Sequence, residues 1–520
     1  MSKTAREIEL KLEVPEEAQA HLRRTGAVEG FSSSRTTTRT LHSVYVDTPD
    51  QALRKAKISL RVRKVGRSWV QTVKIGTGVA AGVSSAIEVE TRVSGGSVDL
   101  AAIGDDKIVA ILHETIAGQA LAPCFETVMK RTTRILTADQ DGSEIEVAFD
   151  TGQVTSGGRT EPLSEVEFEL KSGSAEALFK AARGVIGATP FRFSPCSKAE
   201  RGYRLAEGRD NGLAAPKLAE RVVLDPEETA ERAFREILRS CLDQITHNRL
   251  VVLQSDAPEG PHQLRVGLRR LRSAFRLFKP VIHPASFVPL DVAARTLAGE
   301  AGEVRDLDVL TDEIVRPLKE NAPAGVNVET LVTYLEARRE AARVKLKTHL
   351  GQEDINHFIL DLATYTEGRG WLDPDNFDQT TKLAGTISDF ARAALDRQWR
   401  KVSKFGARID DLSIEERHDM RKALKKLRYG IEFFDSLYPG DTVKPFLKRM
   451  KRLQDIFGYL NDVAMAEKLA LINDREGEGA VDRAQAVGFA IGWHEAQSAA
   501  TWPHAKGYWR ETKKSPKFWN

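Results

Sequence analysis

The hydrophobic pattern of this chain changes period once, and that change restricts its architecture more than any single motif does. From Ala5 to about Glu169, apolar residues recur at every second position in short segments such as "REIELKLEV", "ISLRVRKV", "SWVQTVKI", "AIEVETRV", "SEIEVAFDTG" and "SEVEFELKSG", bounded by Gly, Ser, Thr and Asp. Successive side chains of a strand point to opposite faces, so this spacing predicts an antiparallel sheet or barrel. Helices are expected to intervene near residues 15–25, 105–119 and 174–187. After the polar stretch "AEGRDNGLAAPKLAE", Ala206 to Glu220, the period becomes helical and stays so to about residue 500, with breaks at "SDAPEG", "ENAPAG" and "LYPGD". The expectation is a multi-domain α+β chain: a strand-built domain over 1–205, a linker over 206–220 and an all-helical bundle over 221–510.

A chain of 520 residues is too long for one small core, and 41% apolar with 29% charged residues is the composition of a folded globular protein. No apolar run approaches the roughly 18 residues needed to cross a bilayer. The start, "MSKTAREIEL", lacks the apolar stretch of a secretory signal, so a cytoplasmic location is expected. Cys124, Cys196 and Cys241 are far apart and read as buried thiols. The net charge of +3 is a near cancellation and names no partner.

Where the charges sit says more. In the first half the polar positions of each strand are segregated by sign: Glu7, Glu9 and Lys11; Arg61 and Arg63; Lys74; Glu88 and Glu90; Glu165, Glu167, Glu169 and Lys171. A wet outer face mixes the two signs, whereas residues facing a closed lumen must be paired or must hold ions. A lumen with separate basic and acidic groups suits a polyanion that brings divalent cations. Carboxylates ligate hard cations such as magnesium or manganese, while arginine forks and lysines neutralise phosphate.

The ordered series of ExExK (Glu7, Glu9, Lys11), "VYVDTPDQAL" with Tyr45 and Asp47, "LRVR", Lys74, the Glu88 and Glu90 pair, Asp150 in "VAFDTG", "EVEFEL" and "SKAERGY" with Lys198 resembles the CYTH family, the triphosphate tunnel metalloenzymes. The resemblance implies a closed antiparallel tunnel of eight strands with flanking helices. It also implies hydrolysis of a triphosphate with Mg2+ or Mn2+. Carried over, it makes Lys11, Arg61, Arg63, Lys74, Arg131, Arg134 and Lys198 the substrate clamp, and Glu7, Glu9, Asp150, Glu165 and Glu167 the metal ligands. Glu7, Glu9, Lys11, Glu165 and Glu167 are the expected catalytic set. Glu88 and Glu90 fit a role orienting the neighbouring arginines, and Glu169 and Lys171 a structural one.

The second half contains one pattern twice, "HQLRVGLRRLRSAFRLF" from His262 and "HDMRKALKKLRYGIEFF" from His418. The same offset carries Asp306 onto Asp462, which indicates an internal duplication of a helical unit. The apolar stripes Leu264, Leu268, Leu271, Phe275, Phe278 and Met420, Leu424, Leu427, Ile431, Phe434 are core faces. Beside them run His262, Arg265, Arg269, Arg272 and Arg276, and His418, Arg421, Lys425 and Arg428. No acidic residue lies between His262 and Lys279, and cations stacked without acidic partners are better tolerated where an anion binds. Tyr429 is an aromatic beside the basic stripe and Phe275 belongs to the core, so stacking platforms for bases are scarce, which disfavours nucleic acid.

This half resembles the CHAD domain. The resemblance implies inorganic polyphosphate binding through His262, Arg265, Arg269, Arg270, Arg272, His418, Arg421, Lys425, Lys426 and Arg428, extended by Lys448, Lys451 and Arg452. The whole therefore reads as an inorganic triphosphatase, a metal-dependent phosphoanhydride hydrolase, with a polyphosphate-binding bundle and no membrane partner. Thiamine triphosphate hydrolysis, cyclisation of ATP and non-catalytic binding of triphosphate and polyphosphate stay open, as does the oligomeric state.

Overall fold

The computed structural model describes residues 6–24, 26–80, 82–208, 215–373, 375–472, 479–501 and 503–519; the side chains at 6, 7, 77–80, 85, 458–464, 471, 472, 498–501 and 503 lie outside that description. Glu7 and Asp462 are thereby outside the described side chains. The chain divides into two compact units, Met1–Ala214 with Asn356–Gly370, and Ala215–Ile355 with Trp371–Asn520. The 214/215 division falls inside the stretch where the hydrophobic period changes.

The first unit is built on strands β1 (Arg6–Glu13), β2 (Phe31–Ser33), β3 (Thr37–Asp47), β4 (Ile58–Val65), β5 (Ser68–Ala80), β6 (Val83–Val93), β7 (Ala122–Ala138), β8 (Glu144–Ser156), β9 (Arg159–Ser172) and β10 (Arg192–Phe193). The order is β10-β1-β6-β5-β4-β3-β7-β8-β9 with β2 on β7, and every pairing is antiparallel. β1 pairs with β6 through Arg6–Leu10 and with β9 through Glu9–Glu13, so the sheet curls back on itself as a tunnel.

The tunnel inverts the usual arrangement of a sheet. Its lumen face is polar and its outer face is apolar, covered by the helices Glu16–Arg24, Asp106–Ile116 and Ala175–Ile186, which fall where the sequence places them. One core joins Val46, Leu60 and Val73 to Ile108, Leu112 and Ile116 of the middle helix. One end of the lumen is itself apolar: Leu41, Tyr45, Phe125, Met129, Val154 and Leu163 close on Tyr203 and Leu205 of the helix Lys198–Ala206, which fills that end. This helix is capped by Ser197, whose Oγ accepts from Glu200 N at 3.2 Å.

The helix Glu353–Glu367 is helical as expected, but Asn356–Gly370 packs in the first unit rather than in the bundle. Asn356 Nδ2 donates to Phe191 O at 3.1 Å, and Arg183 pairs with Asp361. An amphipathic period says that a face is buried and is silent about what buries it.

The second unit is helical throughout its described residues apart from its turns and connecting segments. The two copies of the repeated pattern form the helices Glu259–Phe278 and Ile414–Phe434, which pack on each other. All ten residues of the two apolar stripes are fully buried, and the equivalent rings of Phe278 and Phe434 lie 6.4 Å apart. No helix is long and apolar enough to cross a membrane among the described residues.

The plug of the lumen depends on a glycine. A Cβ on Gly202 would stand 2.0 Å from Phe125 Cδ2, inside a ring stacked 4.5 Å from Tyr45. Gly202→Ala is expected to destabilise the tunnel unit by about 1–3 kcal/mol or more through overpacking, read as a lower urea midpoint; an unchanged midpoint would remove the plug assignment.

Candidate functional site

The register of four neighbouring strands assembles one wall of the lumen. β1 sets Lys11 opposite Glu167 and Glu13 opposite Glu165 of β9; β8 sets Asp150 opposite Glu165 on one side and opposite Arg131 of β7 on the other. Lys198 enters from the first turn of the plug helix. Its Nζ lies 2.6 Å from Glu167 Oε1, 2.7 Å from Glu165 Oε2 and 3.0 Å from Asp150 Oδ2. Lys11 Nζ bridges Glu9 Oε1 at 2.5 Å and Glu167 Oε1 at 2.7 Å. Arg131 grips Asp150 as a fork, Nε to Oδ1 at 2.8 Å and Nη2 to Oδ2 at 2.6 Å, and reaches Glu167 Oε2 at 2.5 Å.

At Glu167, Asp150, Lys198 and Arg131 burial opposes ionisation, and the opposite charges outweigh it. Lys11, Lys198 and Arg131 hold Glu167 well below the usual carboxylate range, and Arg131 with Lys198 lowers Asp150. The carboxylates in turn raise Lys198 and Arg131. Beneath them, the buried amide of Gln19 donates to Asp150 O at 3.2 Å and Glu165 O at 3.0 Å, fixing the backbone of both strands.

The opposite wall has fewer carboxylates for its cations. Lys74 Nζ lies 3.1 Å from Glu88 Oε2 and 3.3 Å from Glu9 Oε2. Arg61 donates to Tyr45 Oη at 3.2 Å and stands 3.5 Å from Glu88 Oε1. Glu90 accepts from Thr72 Oγ1 at 3.3 Å. Among the described residues Arg63 is paired with no carboxylate; its Nε donates to Ser43 Oγ at 3.0 Å. Burial, together with the charges of Arg61 and Arg131, pushes its guanidinium down to about 10.

Of the residues named from the sequence, Glu9, Lys11, Arg61, Arg63, Lys74, Arg131, Asp150, Glu165, Glu167 and Lys198 meet in this lumen. Arg134 does not. Three positions from Arg131, it stands on the other face of β7 with its guanidinium 5.7 Å from the ring centre of Phe149, whose neighbour Asp150 faces inward. Glu169 and Lys171 pair with each other near the strand end. Sequence reading missed Gln19, Ser194 and Arg201, whose links to the site are contacts distant in sequence; only the position of Arg201 in "SKAERGY" hinted at it.

In the second unit the packed pair of repeated helices brings together Arg265, Arg269, Arg421, Lys425 and Arg428. Burial and these four guanidiniums push the Lys425 ammonium down to about 7. The guanidinium of Arg269 lies 5.9 Å from the ring centre of Tyr429, and Arg428 Nη1 donates to Gln454 Oε1 at 3.4 Å. His262 Nδ1 is buried with no hydrogen bond among the described residues, and burial with the nearby Arg305 lowers this imidazole.

The structure corrects the bundle reading at several positions. Arg270 is 2% exposed; it donates to Gln244 Oε1 at 2.8 Å and stacks 5.3 Å from the centre of Phe433, so it is a core residue. Arg272 pairs with Asp291 at 2.9 Å, and Arg265 with Asp306 at 2.9 Å. The acid-free stretch of sequence thus has acidic partners on the next helix. Lys426 turns toward Arg276, Lys401 and Lys422 instead of Lys425's group. Lys448 and Lys451 are exposed, Arg452 lies 3.9 Å from Glu511, and His418 is half-buried one turn before Arg421.

Residues 5–203 match the CYTH domain and residues 236–471 match the CHAD domain. Over 166 residues the chain is 33% identical to the inorganic triphosphatase of Haemophilus influenzae; the aligned stretch is 32% of this chain and 46% of that relative, so it spans less than half the relative's length. The structure is similar to that of the CHAD domain from the plant Ricinus communis, with a TM-score of 0.50 and 28% identity over 58% of this chain and 99% of the plant chain. The chain thus carries a CYTH domain followed by a CHAD domain.

Proposed function

We propose that the tunnel hydrolyses inorganic triphosphate with the help of a divalent cation, Mg2+ or Mn2+, and that the bundle binds inorganic polyphosphate. The observation that carries the first part is Arg63, a guanidinium held in the lumen beside Arg61 and Arg131 and paired with no carboxylate among the described residues. A polyanion between the two walls supplies the missing charge. The relative's name and the CYTH match support phosphoanhydride chemistry over other uses of such a lumen.

The donors suit a hard cation. Glu9, Asp150, Glu165 and Glu167 offer only carboxylate oxygens, and Glu165 Oε2, although 2.7 Å from Lys198, is buried without a hydrogen bond of normal geometry among the described residues. Among the described residues no three carboxylates surround an open point, because Lys198 and Arg131 stand between them. A bound divalent cation supplies charge neutralisation and an acidified water. The chain's own groups do the rest. Arg61, Arg63 and Lys74 clamp the phosphates from one wall, and Lys11, Arg131 and Lys198 stabilise the charge that develops on oxygens as the P–O bond breaks. The apolar plug closes one end of the lumen, which suits a short chain of phosphates held from the other end.

In the bundle, the supporting observations are the Lys425 group and His262 Nδ1, which is buried with no hydrogen bond among the described residues. Asp306, which joins Arg265 to Lys468 at 2.7 Å, marks the edge of that group.

The purified protein should release phosphate from inorganic triphosphate with Mg2+ or Mn2+ faster than from thiamine triphosphate or ATP; no turnover on any of them overturns the enzymatic reading. Arg63→Ala should raise KM for triphosphate by about ten- to a hundredfold, the loss of one charged hydrogen bond or more. An unchanged KM would remove Arg63 from the clamp. Lys425→Met should do two opposite things, weaken polyphosphate binding and stabilise the free protein. The sign follows from linkage: Lys425 near 7 is well below the ordinary lysine value of 10.5, so the unfolded chain binds more protons between the two and stability rises with pH across that window, with the full penalty below it. Urea melts at pH 6 and pH 9 should show that rise in the wild type and lose it in the variant.

A further inference from the structure

Arg201 lies one turn along the plug helix from Lys198 and faces three carboxylates from two strands. Nη2 donates to Glu13 Oε1 at 2.5 Å and lies 3.4 Å from Glu165 Oε1; Nη1 is 3.2 Å from Glu161 Oε1. Glu13 and Glu165 are directly opposed across β1 and β9, an arrangement that is destabilising for like charges unless a cation stands between them. Arg201 is 9% exposed, and its surroundings raise its affinity for the proton, with Glu165 and Glu13 outweighing burial.

The consequence lies in Glu165, which is fully buried. Its two oxygens are treated differently. Oε1 accepts from Arg201 and from Ser194 Oγ at 3.2 Å, while Oε2 accepts no hydrogen bond among the described residues and looks toward Lys198 and the centre of the lumen. Ser194 is held in turn, its backbone N donating to Lys11 O at 3.0 Å. Oε1 is tied from behind by Arg201 and Ser194, while Oε2 pairs with Lys198 on the lumen side. Groups that tie the back of a ligating carboxylate set its orientation, and their loss costs about ten- to a hundredfold in metal affinity.

We propose that Arg201 is a positioning residue, assisted by Ser194, that fixes the Glu165 carboxylate so that Oε2 faces the cation and the phosphates. This rests on the metal-dependent reading given above. A mere brace between helix and barrel would hold Glu13 and Glu161 equally well and would leave the presentation of Glu165 unaffected.

The test uses the full chain and Mn2+ itself. Mn2+ binding is followed by electron paramagnetic resonance, and triphosphate hydrolysis is followed against Mg2+ concentration, for wild type, Arg201→Lys, Arg201→Met, Ser194→Ala and Glu165→Gln. The expected result is a Mn2+ affinity about ten- to a hundredfold weaker in Arg201→Met. Arg201→Lys should recover part of that loss and Ser194→Ala show a smaller one. The Mg2+ concentration for half activity should rise more than kcat falls. If Arg201→Met does not fold, Arg201→Lys and Ser194→Ala decide. Variants that bind Mn2+ like the wild type, while Glu165→Gln does not, overturn the positioning role alone. A wild type that binds no Mn2+ and releases no phosphate overturns the metal-dependent reading, and this inference with it.

Discussion

Asp150, Glu165 and Glu167 share one ammonium, that of Lys198, at 3.0, 2.7 and 2.6 Å, and the arrangement of the tunnel follows from the need to satisfy them. Each buried ion costs several kcal/mol to desolvate, so three carboxylates on adjacent strands are tolerable only with cations at hydrogen-bond distance. Lys11 and Arg131 serve two of them further, and Arg201 reaches Glu165 from behind. Because Lys198 and Arg201 sit on the plug helix, the charges of the site and the apolar seal at the end of the lumen are one construction. Tyr203 on the same helix donates to the buried Asp47 at 2.7 Å, and Asp47 also accepts from the backbone of Leu53 and Arg54.

Much of this was legible from alternation alone. A period of two places Glu9, Lys11, Arg61, Arg63, Lys74, Glu165 and Glu167 on one side of their strands, and an apolar opposite side covered by helices makes that side the inside. The same rule excludes Arg134. It is an odd number of residues from Arg131, so both cannot face the lumen of one regular strand, and the structure has it over Phe149. Arg131 stands on the lumen side, where Asp150 is its register partner. Gln19, Ser194 and Arg201 could not be found this way. Their roles are contacts to residues far away in sequence, and a glutamine on a helix or an arginine in a basic-rich turn carries no periodic signal of its own.

In the bundle the sequence pattern identified the faces and misjudged the surroundings. Both apolar stripes are buried to the last residue, as the helical period requires. Arg270 lies on a third face, shared with Gln263 and Gly267, that packs on the helix Ala230–Gln254; there Gln244 and the ring of Phe433 replace water around it. A long aliphatic stem with a planar cation can enter a core that a lysine would not, which is why Arg270 and its counterpart Lys426 part company despite their alignment. The segment Asn356–Gly370 has the same explanation at larger scale: helix formation is local, whereas the unit a helix joins is decided by distant partners such as Phe191 and Arg183.

The duplication sharpens what the Lys425 group costs. Two equivalent helices that pack through their apolar stripes bring their flanking stripes side by side, so duplication of a cationic helix concentrates like charge wherever the copies meet. Neighbouring carboxylates relieve this at the margins, Asp306 for Arg265 and Glu432 for Arg428. Lys425 stands among the four guanidiniums, which together with burial push its ammonium down to about 7. A methionine would fill the same space without repulsion. Under the polyphosphate-binding proposal a bound anion offsets this repulsion, so the lysine that weakens the free protein strengthens the complex.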